Sequence, residues 1–231
     1  HRGRVFLTCV VDALERCHAR GIAAILRNVC CCHIECVLSS ALSQDLSYLV
    51  LANHRSAVDI LVLIAAFAGK APLLTFFLKQ SLRYIPFMGW YCQARGYPFL
   101  QRGKVLRTDS LKAMCQGLFT RPMTLVLFAE GTRFHKKKSK EYQHLLSPKR
   151  GALTAVLQHP HAAHVGILDT DICYTENASV VNLLCGRLHK VVVQARLVDT
   201  PGIGEHSGPA LNRWLHTLWR EKDERLGFFY Q

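Results

Sequence analysis

The sequence predicts an α/β fold in which a mixed, largely buried sheet is flanked by helices. The chain has 231 residues, of which 50% are hydrophobic, so one large domain can bury a substantial core. Short apolar runs with the length of strands alternate with longer stretches of helical periodicity. This composition excludes a disordered chain, and the alternation favours an α/β architecture.

The first predicted element is helical. Apolar residues of the segment 5–29 recur at helical spacing, and Arg16, Arg20 and Arg27 lie between them. The pattern predicts one or two amphipathic helices in an N-terminal region, residues 1–46. A basic amphipathic helix either lies on an anionic membrane surface or packs on the protein core, and the sequence leaves both readings open.

Two strand and helix blocks follow. Ser47 to Ala52 has the pattern of a short buried strand, and Ser56 to Phe67 has a length better suited to a helix. Thr124 to Phe128 predicts a second buried strand, and Lys149 to Leu157 predicts the next helix. Polar residues follow both strands, at the positions where α/β sheets bind their ligands.

The remaining elements complete the domain. Three further strands are predicted: Ala163 to Ile167, Asp171 to Tyr174 and Val191 to Leu197. Pro209 to Leu226 predicts a helix, because a proline stands at its start and large apolar residues follow at helical spacing. We therefore assign residues 47–205 to one α/β domain and residues 206–231 to a C-terminal helix.

The charge of the chain favours phosphate-rich partners. Lys and Arg number 29 against 16 Asp and Glu, which gives a net charge of +13 and suits nucleic acid, nucleotide or an anionic membrane. The lysines of 136–140 form either a solvated loop or a surface that attracts an anionic substrate or lipid. The longest apolar run, Ile60 to Gly69, is shorter than the roughly 20 residues of a spanning helix. Any anchor is therefore expected outside this segment, which begins at His1 without an initiator Met.

Two clusters raise the question of a metal. The segment Cys30 to Cys36 holds four of the ten cysteines and invites a zinc hypothesis, but it lacks paired C-x-x-C spacing and a second half-site. Reduced thiols that pack as small hydrophobes are the preferred interpretation. His159, His161 and His164 are interrupted by Pro160, so we interpret them as loop and strand histidines. We expect no metal.

The most informative segment is Asn53 to Asp59. Residues five apart in a helix point about 140° away from each other. His54 and Asp59 can therefore meet only if His54 lies in the turn before the helix. A carboxylate on one imidazole nitrogen fixes the tautomer and leaves the other nitrogen free to accept a proton from a hydroxyl. The pair predicts general-base chemistry.

Two later segments carry groups suited to a phosphate. In Gly96 to Arg102, glycine permits a tight turn and Arg102 offers a fork of donors. Glu130 to Arg133 places a carboxylate, a glycine, a hydroxyl and a guanidinium after the second predicted strand. Because ligands of open α/β sheets bind outside the carboxyl ends of the strands, the first and third segments are expected to face one crevice.

These segments, in this order, resemble the glycerolipid acyltransferases of the lysophosphatidic acid acyltransferase family. The family's His-x4-Asp block matches Asn53 to Asp59, its Gly-x-x-Phe-x-x-Arg block matches Gly96 to Arg102, and its Glu-Gly-Thr-Arg block matches Glu130 to Arg133. Leu78 to Trp90 is similar to the segment that precedes the second block in the eukaryotic branch with the lysocardiolipin-type enzymes. The similarity covers roughly residues 49–170.

The resemblance implies an acyl-CoA-dependent O-acyltransferase fold and activity. His54 would act as general base on the free hydroxyl of a lysophospholipid, which attacks the thioester of acyl-CoA, while Asp59 orients the imidazole. The acceptor phosphate would be held by two arginines and their loop: Arg102, Glu130, Gly131, Thr132 and Arg133. Further candidates for substrate contact are Asn53, Ser56, Lys79 and Gly96. Acyl-CoA is a co-substrate, and no cofactor is expected.

The resemblance also implies partners and a location. Lysophosphatidic acid is the first acceptor and phosphatidic acid its product, with glycerol 3-phosphate, lysocardiolipin or another lysophospholipid as alternatives. A membrane surface is expected as a partner, at the endoplasmic reticulum first and a mitochondrial membrane second. A catalytically silent membrane-surface protein remains an alternative. No nucleic acid partner is expected, because a recognition motif is missing.

Overall fold

The computed structural model describes residues 2–84, 89–90, 93, 97, 99–100, 122–135, 141–159, 162–199 and 208–231. The helices are α1 (Arg2–Asn28), α2 (Asp59–Phe67), α3 (Gly151–Leu157), α4 (Val180–Leu184) and α5 (Gly208–Phe229), with short 3-10 turns at Gln80–Tyr84 and Ala162–His164. The strands are β1 (His33–Leu38), β2 (Ser47–Ala52), β3 (Leu74–Phe76), β4 (Leu78–Lys79), β5 (Phe99–Leu100), β6 (Thr124–Phe128), β7 (Val165–Tyr174) and β8 (Lys190–Val198).

Within the described residues, the central sheet has the strand order β1-β8-β7-β2-β6-β3. All neighbouring pairs are parallel except β7 and β8, which are antiparallel, so the sheet is mixed as predicted. Strands β4 and β5 form a separate short parallel pair. None of the helices in the described part combines the length and hydropathy that crossing a bilayer requires.

Strand β2 lies at the centre of two hydrophobic layers. All six of its residues are buried, and its side chains alternate between the two faces of the sheet. Val50 and Ala52 pack with the cores of α1 and α2, whereas Leu49 and Leu51 pack with α3 and α5. The protein is therefore a three-layer α/β/α sandwich, and its most buried strand leads directly into the His54 segment.

The N-terminal region contributes to this sheet. We predicted residues 1–46 as helical, and α1 is a helix, but β1 pairs in parallel with β8 at the sheet edge. The alternating exposure of β1 explains the omission, because its outward positions include His33 and Glu35. Cys30 and Cys32 are buried in the core as small hydrophobes.

Strand β7 is continuous where the sequence predicted two short strands. The prediction left a gap at residues 168–170, which contains Asp169, and began the second strand at Asp171. Both aspartates are buried in β7, on the face covered by α5. The fully buried Lys222 of α5 lies 2.7 Å from Asp169 Oδ1 and 2.9 Å from Asp171 Oδ1. Arg225 pairs with both carboxylates, at 2.6 and 2.7 Å. Cations from the C-terminal helix thus let two carboxylates stand inside a strand.

Candidate active site

The site lies where two neighbouring parallel strands, β2 and β6, end together. Strand β2 pairs with β6 on one side and β7 on the other, with Ala52 opposite Phe128 and Thr170. The residues that follow β2 and β6, His54 and Glu130, are therefore brought to one edge of the sheet. This is the edge at which open α/β sheets bind ligands.

His54 and Asp59 are in direct contact. Nδ1 of His54 lies 2.7 Å from Oδ2 of Asp59, because His54 occupies the turn before α2 and Asp59 is the first helical residue. The same oxygen accepts hydrogen bonds from the backbone amides of Arg55, at 2.7 Å, and Ser56, at 3.0 Å. The predicted helix therefore begins three residues later than expected, since residues 56–58 form the turn that wraps this carboxylate.

Tyr174 binds the other oxygen of Asp59. Its hydroxyl donates to Asp59 Oδ1 over 2.5 Å, and both side chains are buried. Burial and the negative charge of Asp59 raise the pKa of Tyr174, so the phenol stays protonated as a donor. Sequence reasoning ended a strand at this residue but gave it no role, because its partner lies 115 positions earlier.

The imidazole of His54 is held on its face as well as at Nδ1. Its ring stacks on Phe128 with 4.1 Å between centroids, and its side chain is 16% exposed. The carbonyl of His54 accepts a hydrogen bond from the amide of Phe134, over 2.6 Å. Nε2 is the nitrogen left to face a substrate, and it would be the acceptor when the Asp59-bound Nδ1 carries the proton.

Glu130 does not face the substrate side of the site. It is 1% exposed, its Oε1 accepts from the amide of His54 at 3.1 Å, and its Oε2 accepts from the amide of Leu146 at 3.0 Å. Burial raises the pKa of Glu130 to about 7, and the two amide hydrogen bonds act against that rise. The predicted phosphate contact is therefore corrected: the carboxylate positions the backbone of His54.

The rest of the Glu-Gly-Thr-Arg loop lies more openly. Gly131 has φ of +69°, a backbone conformation that glycine adopts without steric cost. Arg133 is exposed and Thr132 is half-buried. The turn is closed by a hydrogen bond from the amide of Gly131 to the carbonyl of Phe128, over 2.9 Å. The side chains of Thr132 and Arg133 are therefore accessible to a phosphate.

Two further candidates have local structural contacts. The side-chain amide of Asn53 is fully buried, donates to the carbonyl of Ile172 and accepts from its amide. The hydroxyl of Ser56 accepts from the amide of Val58, over 3.2 Å. Asn53 thus fixes the end of β2 against β7, and Ser56 shapes the turn before α2.

The remaining predicted site residues cannot be placed. Gly96 and Arg102 lie outside the described residues, as does the lysine run 136–140. Lys79 is in β4, with its side chain outside the described part. Among the residues the structure describes, no three His, Cys, Asp or Glu side chains converge in a way that could hold a metal ion.

Comparison with known proteins identifies the family. A family model described as Acyltransferase matches residues 33–174, from β1 to the end of β7. The chain therefore belongs to the acyltransferase family, as the three sequence blocks predicted. The structure is similar to the crystal structure of the 1-acyl-sn-glycerophosphate acyltransferase of Thermotoga maritima, with a TM-score of 0.59 and 20% identity, covering 90% of this chain and 79% of that one. This likeness confirms the fold.

The relatives are named for two kinds of acceptor, 1-acyl-sn-glycerol-3-phosphate and lysocardiolipin. Mouse 1-acyl-sn-glycerol-3-phosphate acyltransferase epsilon is 24% identical over 209 residues, covering 78% of this chain and 57% of the mouse protein. The Arabidopsis thaliana 1-acyl-sn-glycerol-3-phosphate acyltransferase 3 is 27% identical, with coverages of 79% and 53%. Mouse lysocardiolipin acyltransferase 1 is 26% identical, with coverages of 79% and 54%. The chain thus spans about half the length of these relatives.

Proposed function

We propose that the protein transfers the acyl group of acyl-CoA to the free hydroxyl of a lysophospholipid, with lysophosphatidic acid as acceptor and phosphatidic acid as product. The observation that carries the proposal is the 2.7 Å contact of His54 Nδ1 with the buried Asp59, which leaves Nε2 as a base. The names of the mouse and Arabidopsis relatives support this acceptor.

The proposed reaction needs no covalent enzyme intermediate. The acceptor hydroxyl oxygen attacks the thioester carbonyl carbon while His54 Nε2 takes the hydroxyl proton. The tetrahedral intermediate then expels the sulfur of CoA, and the imidazolium returns its proton to that sulfur. Asp59 stabilises the imidazolium in between, and Tyr174 and two backbone amides fix Asp59 in place. Every proton is thereby accounted for.

We assign the acceptor phosphate to the open side of the loop after β6. Arg133 and Thr132 line this side, and Arg102 is proposed as a further donor from the second block. A guanidinium recognises a phosphate through two parallel hydrogen bonds, so one arginine both binds and orients the head group. This arrangement would hold the acceptor beside His54, whose backbone joins the same loop through Glu130 and Phe134.

A membrane surface is the proposed source of the lipid substrates. Four large apolar side chains are exposed at the end of α1 and on α4: Ile25 at 55%, Val29 at 72%, Val181 at 65% and Leu184 at 71%. The net charge of +13 would draw the protein to anionic lipid. We propose the endoplasmic reticulum as its location, with a mitochondrial membrane as the alternative.

Lysocardiolipin is the second candidate acceptor. The mouse lysocardiolipin acyltransferase matches as much of this chain as the Arabidopsis relative does, at similar identity. The chemistry at His54 is the same for both acceptors, so the residues that contact the head group determine which acceptor is used. Glycerol 3-phosphate and other lysophospholipids belong to the same comparison.

The test is CoA release from oleoyl-CoA with a panel of these acceptors, using protein reconstituted in liposomes. We expect turnover with lysophosphatidic acid that disappears in His54→Ala. His33→Ala is the matched control, because His33 is exposed on the edge strand β1. A folded, liposome-bound protein without turnover on any acceptor would favour a silent membrane protein instead. If an oligonucleotide displaced the protein from liposomes and micelles did not, nucleic acid binding would be favoured instead.

A further inference from the structure

Two basic side chains that belong to none of the phosphate-binding blocks flank the loop after β6. Arg55 contacts the ring of Phe134 at one end of this loop, and Lys149 lies over Gly131 at the other. Thr132 and Arg133 stand between these two points. The loop is therefore bordered by a cation at each end, with Arg133 as a third cation inside it.

Arg55 is held by two aromatic rings. Its guanidinium carbon lies 5.2 Å from the centroid of Phe134 and 4.5 Å from that of Tyr230, the penultimate residue. Stacking uses the face of a guanidinium, and a side-chain hydrogen bond with Tyr230 engages part of its edge. The remaining N–H groups of Arg55 can bind an anion. Because Arg55 directly follows His54, a phosphate on this edge would lie near the base.

Lys149 is positioned by its backbone and by the glycine. Its amide donates to the carbonyl of Ala129 over 2.7 Å, and its extended side chain crosses the open face of Gly131. A β-carbon added to Gly131 would stand 3.1 Å from the ammonium nitrogen, so a larger residue would push the Lys149 side chain aside. The ammonium is thereby brought onto the loop that carries Thr132 and Arg133.

Neither cation is neutralised within the part of the chain that the structure describes. The ion pairs there include no carboxylate on the guanidinium of Arg55 or on the ammonium of Lys149. The carboxylates of Asp59 and Glu130 are turned toward His54 and backbone amides instead. Lys149 is exposed and Arg55 is half-buried. Two cations that flank one loop without a counter-ion form a site for an anion.

We propose that Arg55 and Lys149 bind a phosphate group of a substrate at the loop 131–134. The proposal rests on the proposed function and extends it, because it adds two phosphate contacts that the resemblance does not assign: Arg55 inside the first block and Lys149 outside all three. The shared chemistry is a phosphate monoester, which the lysophosphatidate head group and the ribose phosphate of CoA both carry. The experiment below separates these two sources.

Binding is measured by calorimetric titration, which does not require turnover. The 231-residue chain is titrated with hexanoyl lysophosphatidate, with uncharged monohexanoylglycerol, and with free CoA and dephospho-CoA. The variants are Arg55→Gln, Lys149→Gln and the double variant. Arg150→Gln is the matched control, since Arg150 neighbours Lys149 but donates to the carbonyl of Gly208 at the start of α5.

We expect each single variant to weaken binding of one phosphate ligand about tenfold, and the double variant to weaken it further. Monohexanoylglycerol binding and the Arg150→Gln variant should stay unchanged. Loss confined to lysophosphatidate assigns the acceptor, and loss confined to CoA relative to dephospho-CoA assigns the donor. Wild-type affinity for both phosphate ligands in the double variant, or no phosphate preference in the wild type, would overturn the proposal.

Two controls separate folding and turnover from phosphate binding. The conservative variant Lys149→Arg keeps the charge and should retain most of the affinity, so a failure of Lys149→Gln to fold does not decide the question. A wild-type protein that binds lysophosphatidate through these residues but releases no CoA would refute the proposed function alone. The proposed phosphate site would then be retained, and the proposed acyltransferase activity would be rejected.

Discussion

Replacing Tyr174 with phenylalanine removes one hydroxyl and keeps the buried ring. The hydroxyl donates to Asp59 Oδ1 over 2.5 Å, and Asp59 is fully buried, so water cannot take its place. A hydrogen bond to a charged group contributes about 1.5–3 kcal/mol. We expect the free energy of unfolding to fall by about 2 kcal/mol, which lowers Tm by roughly 4–8 °C in a chain of this size.

The effect on catalysis should be smaller than removal of the base. Oδ2 of Asp59 keeps His54 and two backbone amides after the change, so the carboxylate is loosened rather than lost. We expect kcat for CoA release to fall about tenfold, which corresponds to roughly 1.4 kcal/mol. KM for the acceptor should not change, because Tyr174 contacts Asp59 rather than the proposed phosphate loop.

The assay compares Tyr174→Phe with a second buried tyrosine. Tyr48 is also in the core, and its hydroxyl accepts from the amide of Ser43 over 2.8 Å, at the opposite end of β2. Tyr48→Phe should lower Tm without a change in kcat at a temperature where both variants are folded. Equal kcat values for the two variants would refute the role of Tyr174 as a positioning residue.

Three further changes test the surroundings of the site. The pKa of Glu130 is raised to about 7, so between pH 4.5 and 7 the folded protein holds a proton that the unfolded chain has released. The free energy of unfolding should therefore fall by about 3 kcal/mol as the pH rises from 4.5 to 7, which urea unfolding measures. Glu130→Gln should flatten that dependence and lower kcat about tenfold, since one of its two backbone amides loses its acceptor. Lys222→Met removes one of the two cations beside the buried Asp169 and Asp171 and should lower the free energy of unfolding by about 3–5 kcal/mol in the same urea assay. An unchanged unfolding midpoint would show that Arg225 alone neutralises the two carboxylates. Gly131→Ala places alanine at φ of +69° and brings its β-carbon against Lys149, which should cost about 1 kcal/mol and lower Tm by several degrees. KM for the acceptor should rise as well. An unchanged Tm would contradict the observed turn.

Much of the fold could be predicted because its central strands are apolar throughout. The bounds of β2 and β6 agree with the prediction, since continuous apolar runs end where polar residues begin. Edge strands were harder: β1 alternates exposed and half-buried positions, and β3 has only three residues. Strand β7 was split in the prediction because the cations that neutralise its aspartates come from a helix about fifty residues later, which a local pattern does not reveal.

The candidate site could be predicted in part for the same physical reason. His54 and Asp59 are five residues apart, so a turn before the helix is enough to bring them into contact. The roles of Glu130 and Tyr174 depend on partners 76 and 115 positions away, and only the pairing of the sheet brings them together. A motif indicated that Glu130 belongs to the site, but it could not show that the carboxylate faces inward.

The long separations along the chain have a consequence for synthesis. His54 leaves the ribosome 76 residues before Glu130, and Asp59 leaves it 115 residues before Tyr174, so the surroundings of the imidazole are completed late. At about 5–20 residues per second, this leaves a nascent chain for several seconds or longer with an imidazole whose orientation is unfixed. The imidazole therefore takes its fixed orientation only after β7 has been synthesised, and the proposed general-base chemistry belongs to the finished fold.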